Sequence, residues 1–318
     1  MSETNWYYTA LTLLSVSGVF YLLYAIQAKP FFREGGWGSM LLSCLCLILS
    51  LVVRSQTAQY FALSNMYESL LVVSIGMQLV FLALDRWFKL RTLGVPVTIL
   101  LLVSLFYDLS LPTQIHPLQP ALQSYWRSIH VPIILLSYAL FTVAFLSSLV
   151  FLVKDYWPGS GAGQGGRTPT SRITSAGLTP AMAGSQSLAQ VFGSGETTEN
   201  QADALNLEIA LLQDKANLYD EITYRCVAFG FPMLTLGIIL GGIWANEAWG
   251  NYWSWDPKES MSLVTLLAYG VYLHMRVNGE HSARTLAWVS VSGFALMLVT
   301  YFGVNLMGLG LHSYGKIG

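Results

Sequence analysis

The sequence predicts an all-α integral membrane protein with about eight transmembrane helices, and three observations carry that expectation. Of 318 residues, 54% are hydrophobic and only 10% charged, and the mean hydropathy is +0.52. A soluble domain carries about 25% charged residues. Apolar runs long enough to cross a hydrocarbon core of about 30 Å recur along the chain. The basic residues fall unequally into alternate connections. A net charge of −1 gives no footing for nucleic-acid binding.

The spans follow in order. The first is expected near 7–26; "MSETN" before it has no basic stretch, and no small-residue cleavage site follows, so it reads as a retained helix. Others are expected near 38–54, 68–84, 95–111 and 129–153, which makes 1–154 a unit of five helices. Residues 155–200, beginning "DYWPGSGAGQGG", are rich in Gly, Ser and Thr and read as a disordered cytoplasmic linker. Over 201–222, Leu205, Ile209, Leu212, Ala216 and Tyr219 share one helical face. That pattern predicts an amphipathic helix on the inner membrane surface, serving either partner binding or packing on its own protein. Three more spans, near 224–244, 259–276 and 285–306, fill 223–318, with an external tryptophan loop at 244–258.

Eight spans place the connections alternately on two sides. Twelve of the sixteen Lys and Arg residues then fall on one side. Discounting the five around the long 154–223 connection still leaves seven against four. Positive charge marks the inner side, so both termini are expected to face outward. The tryptophan loop faces outward with them.

That loop reads "WGNYWSWDPKES" over 249–260, and Trp244 lies just upstream, so four of the ten tryptophans fall within twelve residues. Interfacial anchoring explains one or two tryptophans; this density points to a platform for a flat apolar partner. His130 opens the fifth helix at its outer end and His312 follows the eighth, again outside. Two imidazoles and an indole cluster on one face suit haem, whose iron takes two axial ligands and whose ring is broad and apolar. His274 lies fifteen residues beyond Glu259, about 22 Å along the helix. It is read either as a ligand inside the membrane or as a neutral imidazole bonded to a neighbour near Arg276. Arg127, one turn before His130, has the charge to meet a propionate. Asp256 and Glu259 carry the wrong charge for that and suit capping of the seventh helix.

The segments "WGNYWSWDPKES", "LQSYWRSIHV", "YGVYLHMR", "FGVNLMGLGLHSYG" and "LSNMYESLL" together resemble the WWD-type haem-handling membrane proteins of cytochrome c maturation. Within that group the chain is most similar to the CcsA/ResC type of cyanobacteria, plastids and many bacteria. The resemblance covers most of the chain outside 155–200. It implies a thylakoid or bacterial inner membrane, with the active site on the lumenal or periplasmic side. It further implies that haem b is the transient ligand, that His130 and His312 are its axial ligands outside, and that His274 holds it inside the membrane with a CcsB/ResB-type partner. Trp249, Trp253, Trp255, Asp256 and Pro257 would form the haem platform. An apocytochrome c would bring a reduced Cys-x-x-Cys-His segment, its thiols kept reduced by a thioredoxin-like protein, and would receive the haem. In place of an aromatic that the pattern carries after the glutamate, this chain has Met261.

No catalytic nucleophile is expected. Synthase chemistry here would be part of a haem–apocytochrome ligation complex working by positioning. The chain has no Cys-x-x-Cys-His of its own, so it is not a c-type cytochrome. Cys44, Cys46 and Cys226 read as packing residues. Two rival readings stand beside this one. A b-type electron-transfer subunit would need histidine pairs facing each other within the membrane. A small-solute transporter with an aromatic gate would need broken helices and polar groups at mid-membrane.

Overall fold

A computed structural model of the chain describes residues 2–90, 92–156 and 197–304; over 197–216 it describes the backbone alone. Eight long α-helices follow one another: α1 (Glu3–Gln27), α2 (Pro30–Ala58), α3 (Met66–Phe88), α4 (Gly94–Asp108), α5 (Tyr125–Tyr156), α6 (Thr197–Trp249), α7 (Pro257–Asn278) and α8 (Ala283–Leu298). No strand occurs among the described residues. A 3-10 turn at Pro120–Leu122 precedes α5, and a π-helical turn at Val299–Gly303 continues α8.

Capping residues in the sequence set many of these ends. Ser2 accepts from the Asn5 amide (3.3 Å), Asn65 from Glu68 (2.9 Å) and Ser282 from Thr285 (3.2 Å). Each satisfies an amide that the helix leaves unpaired at its start. Pro30 stands in the first turn of α2, where its missing N–H costs nothing. Gly279, at φ +70°, ends α7 in the left-handed conformation that glycine adopts without strain.

Six of the helical segments, counting Asn217–Trp249 within α6, are long and apolar enough to cross a membrane. α4 is apolar but has 15 residues, about 22 Å. α7 has the length, at 22 residues, but carries Lys258, Glu259, His274 and Arg276. The expected eight-helix order is therefore present. The sequence expectation that a separate surface helix precedes the sixth span meets a different backbone. The α6 helix runs without a break from Thr197. The linker expectation falls, except at its two ends, outside the described residues.

The helices pack as two groups. α1 lies along α2 and α4, and α3 joins α2 to α4; α5 lies along α6 and α8, and α7 joins α6 to α8. The seam between the groups is α3 against α5. Cys44, Cys46 and Cys226 are buried and unbonded, as expected of packing residues.

A buried ion cluster ties together one end of the first group. Arg54, on the last turns of α2, donates to Glu68 Oε1 of α3 at 2.7 Å and to Glu3 Oε1 of α1 at 3.1 Å. It also reaches the Thr113 carbonyl at 3.1 Å, which anchors the connection after α4. Arg54 is 1% exposed and Glu68 fully buried. Breaking such a pair from one side strands a charge, at about 3–5 kcal/mol, whereas apolar replacement of both partners can be close to neutral. Arg54→Met is therefore expected to lower the thermal midpoint of the detergent-solubilised protein, and Arg54→Met with Glu68→Leu to recover much of the loss. Heating followed by gel filtration reads both, and an unchanged midpoint in the single variant contradicts the assignment.

Candidate functional site: an aromatic cavity beside His130

The candidate site lies where α5, α6, the start of α7 and the π turn after α8 meet the start of α3. Its placement begins with a glycine face. "GIILGG" over 237–242 puts Gly237 and Gly241 one turn apart on α6, and α5 presses against them. A Cβ on Gly237 would stand 2.2 Å from Ile134, and one on Gly241 would stand 2.6 Å from the His130 ring. No other residue fits at Gly241 without moving the imidazole.

The close approach brings His130 Nδ1 to 2.6 Å from the Gly237 carbonyl. A carbonyl can only accept, so this contact selects the tautomer with its proton on Nδ1. Nε2 is then the nitrogen that carries a lone pair. A ring N–H held by a backbone carbonyl is the usual way a protein fixes the orientation of a metal-ligating histidine. The ring also lies roughly parallel to Trp244, with centroids 5.9 Å apart and planes at 28°. Trp244 is itself fixed: it is 1% exposed, and its indole N–H donates to the Ala121 carbonyl at 3.0 Å.

Beside His130 opens a cavity of about 100 Å³, which widens toward solvent at its mouth. Trp244, Tyr252, Trp253, Tyr138 and Tyr301 give it aromatic walls. An aromatic lining with few polar groups is the usual composition of ligand pockets. From the first helix group, Leu63, Asn65 and Ser69 contribute to the lining. Ser69 Oγ and the Tyr301 hydroxyl lie 2.7 Å apart, so the π turn is pinned to α3. Thr300 pins it on the other side, at 2.9 Å from Thr265 of α7. π turns interrupt helices most often at functional sites.

The tryptophan loop is held at both ends. Trp249 packs on Trp244 at 5.1 Å, and Trp253 meets Trp255 edge to face at 5.7 Å. Trp255 is 71% exposed and sits at φ +59°, a conformation costly for any residue with a Cβ. The capping box that follows holds it there. Asp256 Oδ1 accepts from the Lys258 amide at 3.0 Å, Glu259 Oε2 accepts from Asp256 at 3.2 Å and from Ser254 at 2.8 Å, and Pro257 takes the first helical position. Asp256 and Pro257 thus build the start of α7, the role that charge alone had favoured for Asp256.

Arg127, expected as a propionate partner, reaches backbone carbonyls on two connections. It is 3% exposed; its Nε donates to the Leu122 carbonyl at 2.7 Å, and both terminal nitrogens reach the Phe61 carbonyl at 3.4 Å. It clasps the connection before α3 to the turn before α5, and the cavity lining does not include it. The cationic side chain in the lining is Lys258, which precedes the apolar part of α7. Burial pushes its ammonium down to about 8, with Asp256 opposing the shift.

Of the two described histidines among the three expected as ligands, the structure brings His130 to the cavity. His274 stands in the last turns of α7, exposed, with Nε2 3.1 Å from the Asn278 amide group. It is sixteen residues from Lys258, about 24 Å along the helix. Nearby, Arg276 pairs with Asp220 of α6. His312 lies outside the described residues. Sequence reasoning missed Lys258, Tyr252, Tyr138, Tyr301 and the Asn65–Ser69 edge; the small-residue run at 237–242 was the one signal that could have flagged the α5–α6 contact.

The capping assignment carries a test. Asp256→Ala is expected to cost about 1 kcal/mol, while Asp256→Asn or Asp256→Ser, which also cap helices, cost a few tenths. Thermal midpoints and limited proteolysis at the loop distinguish the series; equal loss in all three variants would mean that the carboxylate does more than cap.

Comparison with known proteins agrees with this geometry. The sequence model of the cytochrome c assembly protein family matches residues 63–312, a range that contains the cavity and the tryptophan loop. A relative from Synechocystis sp., the cytochrome c biogenesis protein CcsA, is 36% identical over 322 residues, covering 96% of this chain and 96% of that protein. The CcsA protein of Crocosphaera subtropica is 39% identical over 287 residues, covering 85% of this chain and 84% of its own. Among solved structures, the cytochrome c haem lyase CcmF superposes with a TM-score of 0.61 at 15% identity. The match takes in 95% of this chain and 47% of that one, and speaks for the fold alone. With its membrane-spanning helices and a family match over most of its length, the chain is an integral membrane member of the cytochrome c assembly protein family.

Proposed function

We propose that this chain carries haem to the outer face of a thylakoid or bacterial inner membrane and holds it there for attachment to an apocytochrome c. His130 and His312 serve as axial ligands, and the loop bearing Trp249, Trp253 and Trp255 positions the ring. The observation that supports this most is the His130 imidazole, tied through Nδ1 to the Gly237 carbonyl at the edge of an aromatic cavity. A rigidly oriented Nε2 beside flat apolar walls suits one iron and one porphyrin. The CcsA relatives bear the name of cytochrome c biogenesis, which agrees with that cargo.

The reaction needs positioning rather than a nucleophile from this chain. Each cysteine thiol of the apocytochrome adds across a haem vinyl group. One C–S and one C–H bond form, the S–H bond breaks, the vinyl double bond becomes single, and no electrons leave the pair of reactants. The thiols must arrive reduced, which assigns that task to a thioredoxin-like protein. Holding ring and thiols together removes an entropic barrier that can reach about 7–11 kcal/mol. In this reading His274, exposed on α7 far from the cavity, meets a CcsB/ResB-type partner and holds haem before it reaches the outer site.

The visible spectrum of the detergent-purified protein tests the reading. Co-purified haem is expected in the wild type and to fall about tenfold, equivalent to about 1.4 kcal/mol, in His130→Ala and in His312→Ala, with recovery on adding imidazole. Gly241→Ala should mimic His130→Ala, because its Cβ displaces the ring. Absence of a haem band under all conditions would instead favour a solute transporter. Haem that cycles electrons and never leaves would favour a b-type carrier.

A further inference from the structure

α7 buries hydroxyls and turns large apolar side chains outward. The four residues that it buries are Ser262, Thr265, Tyr269 and Tyr272, whereas Val264, Leu267 and Val271 are exposed. With Arg276 one turn further on, steps of three, four, three and four keep the polar set on one helical face. Its upper members have partners. Ser262 stands in the cavity lining and donates to the Glu259 carbonyl, and Thr265 lies 2.9 Å from Thr300. Below them the hydroxyls of Tyr269 and Tyr272 are fully buried and reach no hydrogen-bonding group among the described residues. Ser290 Oγ on α8 is in the same position. A Cβ on Gly293 of α8 would stand 3.0 Å from the Tyr269 Cζ. α8 returns along α7 after a short connection at 279–282, so Ser290 falls one turn nearer the level of Tyr272. Arg276, paired with Asp220 of α6, closes the far end. Hydroxyls shut away from partners are costly in an apolar interior.

We propose that this face of α7 binds a file of water, bridging the hydroxyls of Tyr269, Tyr272 and Ser290 and joining the cavity floor to the Asp220–Arg276 pair. Successive members of the face are separated by a rise of about 4.5–6 Å, the span of one water making two hydrogen bonds of about 2.8 Å. Water has both the donor and the acceptor that an orphaned hydroxyl calls for. The file offers water displaced from the cavity by an entering ligand a second place to go besides the mouth. A guanidinium at its far end repels cations, as positive groups do in water-selective pores, so the file is closed to ions. The inference stands whether or not the cavity's ligand is haem.

The full chain in detergent micelles is exposed to a brief X-ray pulse, which turns bound water into hydroxyl radicals, and the oxidised side chains are read by mass spectrometry. Tyr269 and Tyr272 are expected to be oxidised although buried, while Phe81, equally buried, stays protected. Mixing with water enriched in oxygen-18 just before the pulse is expected to place the heavy isotope on both tyrosines, because the file is open to the cavity. Protection of both tyrosines equal to that of Phe81 overturns the proposal, and so does oxidation that never carries the heavy isotope, which means sealed water. Stability gives an independent reading. Tyr269→Phe and Tyr272→Phe are each expected to lower the thermal midpoint, since each removes a hydroxyl that is hydrogen-bonded to water. An unchanged or raised midpoint in both means that the hydroxyls were truly unpaired, and overturns the file. The wild-type oxidation pattern decides the matter even where a variant fails to fold.

Discussion

Because Gly237 and Gly241 carry no side chain, Ile134 and His130 of α5 occupy space within 2.2 and 2.6 Å of where a Cβ would stand on α6. The cavity end of the second helix group follows from that contact. It lets a helix carbonyl reach an imidazole nitrogen and fixes its tautomer. It also sets Trp244 alongside the ring and so decides where the tryptophan loop begins. Association in a bilayer lacks the hydrophobic drive available in water, and small residues that admit close backbone approach take its place. Here the same device serves both association and the aim of a side chain.

Buried arginines organise the connections around this contact. Arg54 gathers α1, α3 and the chain after α4, and Arg127 joins the connection before α3 to the turn before α5. Each donates to groups that would otherwise be unsatisfied in an apolar interior, where such groups are expensive. Through Arg127 the seam between the two helix groups is polar as well as close-packed. Ser69 and Tyr301 add a link at the cavity itself. The first helix group therefore reaches the site itself, through Leu63 and Asn65 before α3 and Ser69 on it.

The fold was legible because its strongest signal is local. A run of apolar residues reads as a span whatever it packs against, and the helix order followed. Boundaries were less legible: α2 begins at Pro30, not near 38, because a helix extends beyond the apolar run wherever capping and neighbours allow. At the site, His130 and the tryptophans could be named from their position and company. The carbonyl partners of Arg127 were not legible, since charge and spacing describe a propionate partner as well as they describe a clasp on two carbonyls. Only the distant Phe61 carbonyl separates the two. Tyr301, Ser69 and Asn65 were invisible for the same reason, being brought in from far along the chain.

The left-handed backbone at Trp255 has a consequence for encounter. A loop pinned by a buried indole at one end and a capping box at the other presents its exposed edge in one shape, so its conformational entropy is surrendered when the chain folds. A polypeptide arriving there must order itself alone, and the surface it meets acts as a mould rather than a second flexible chain.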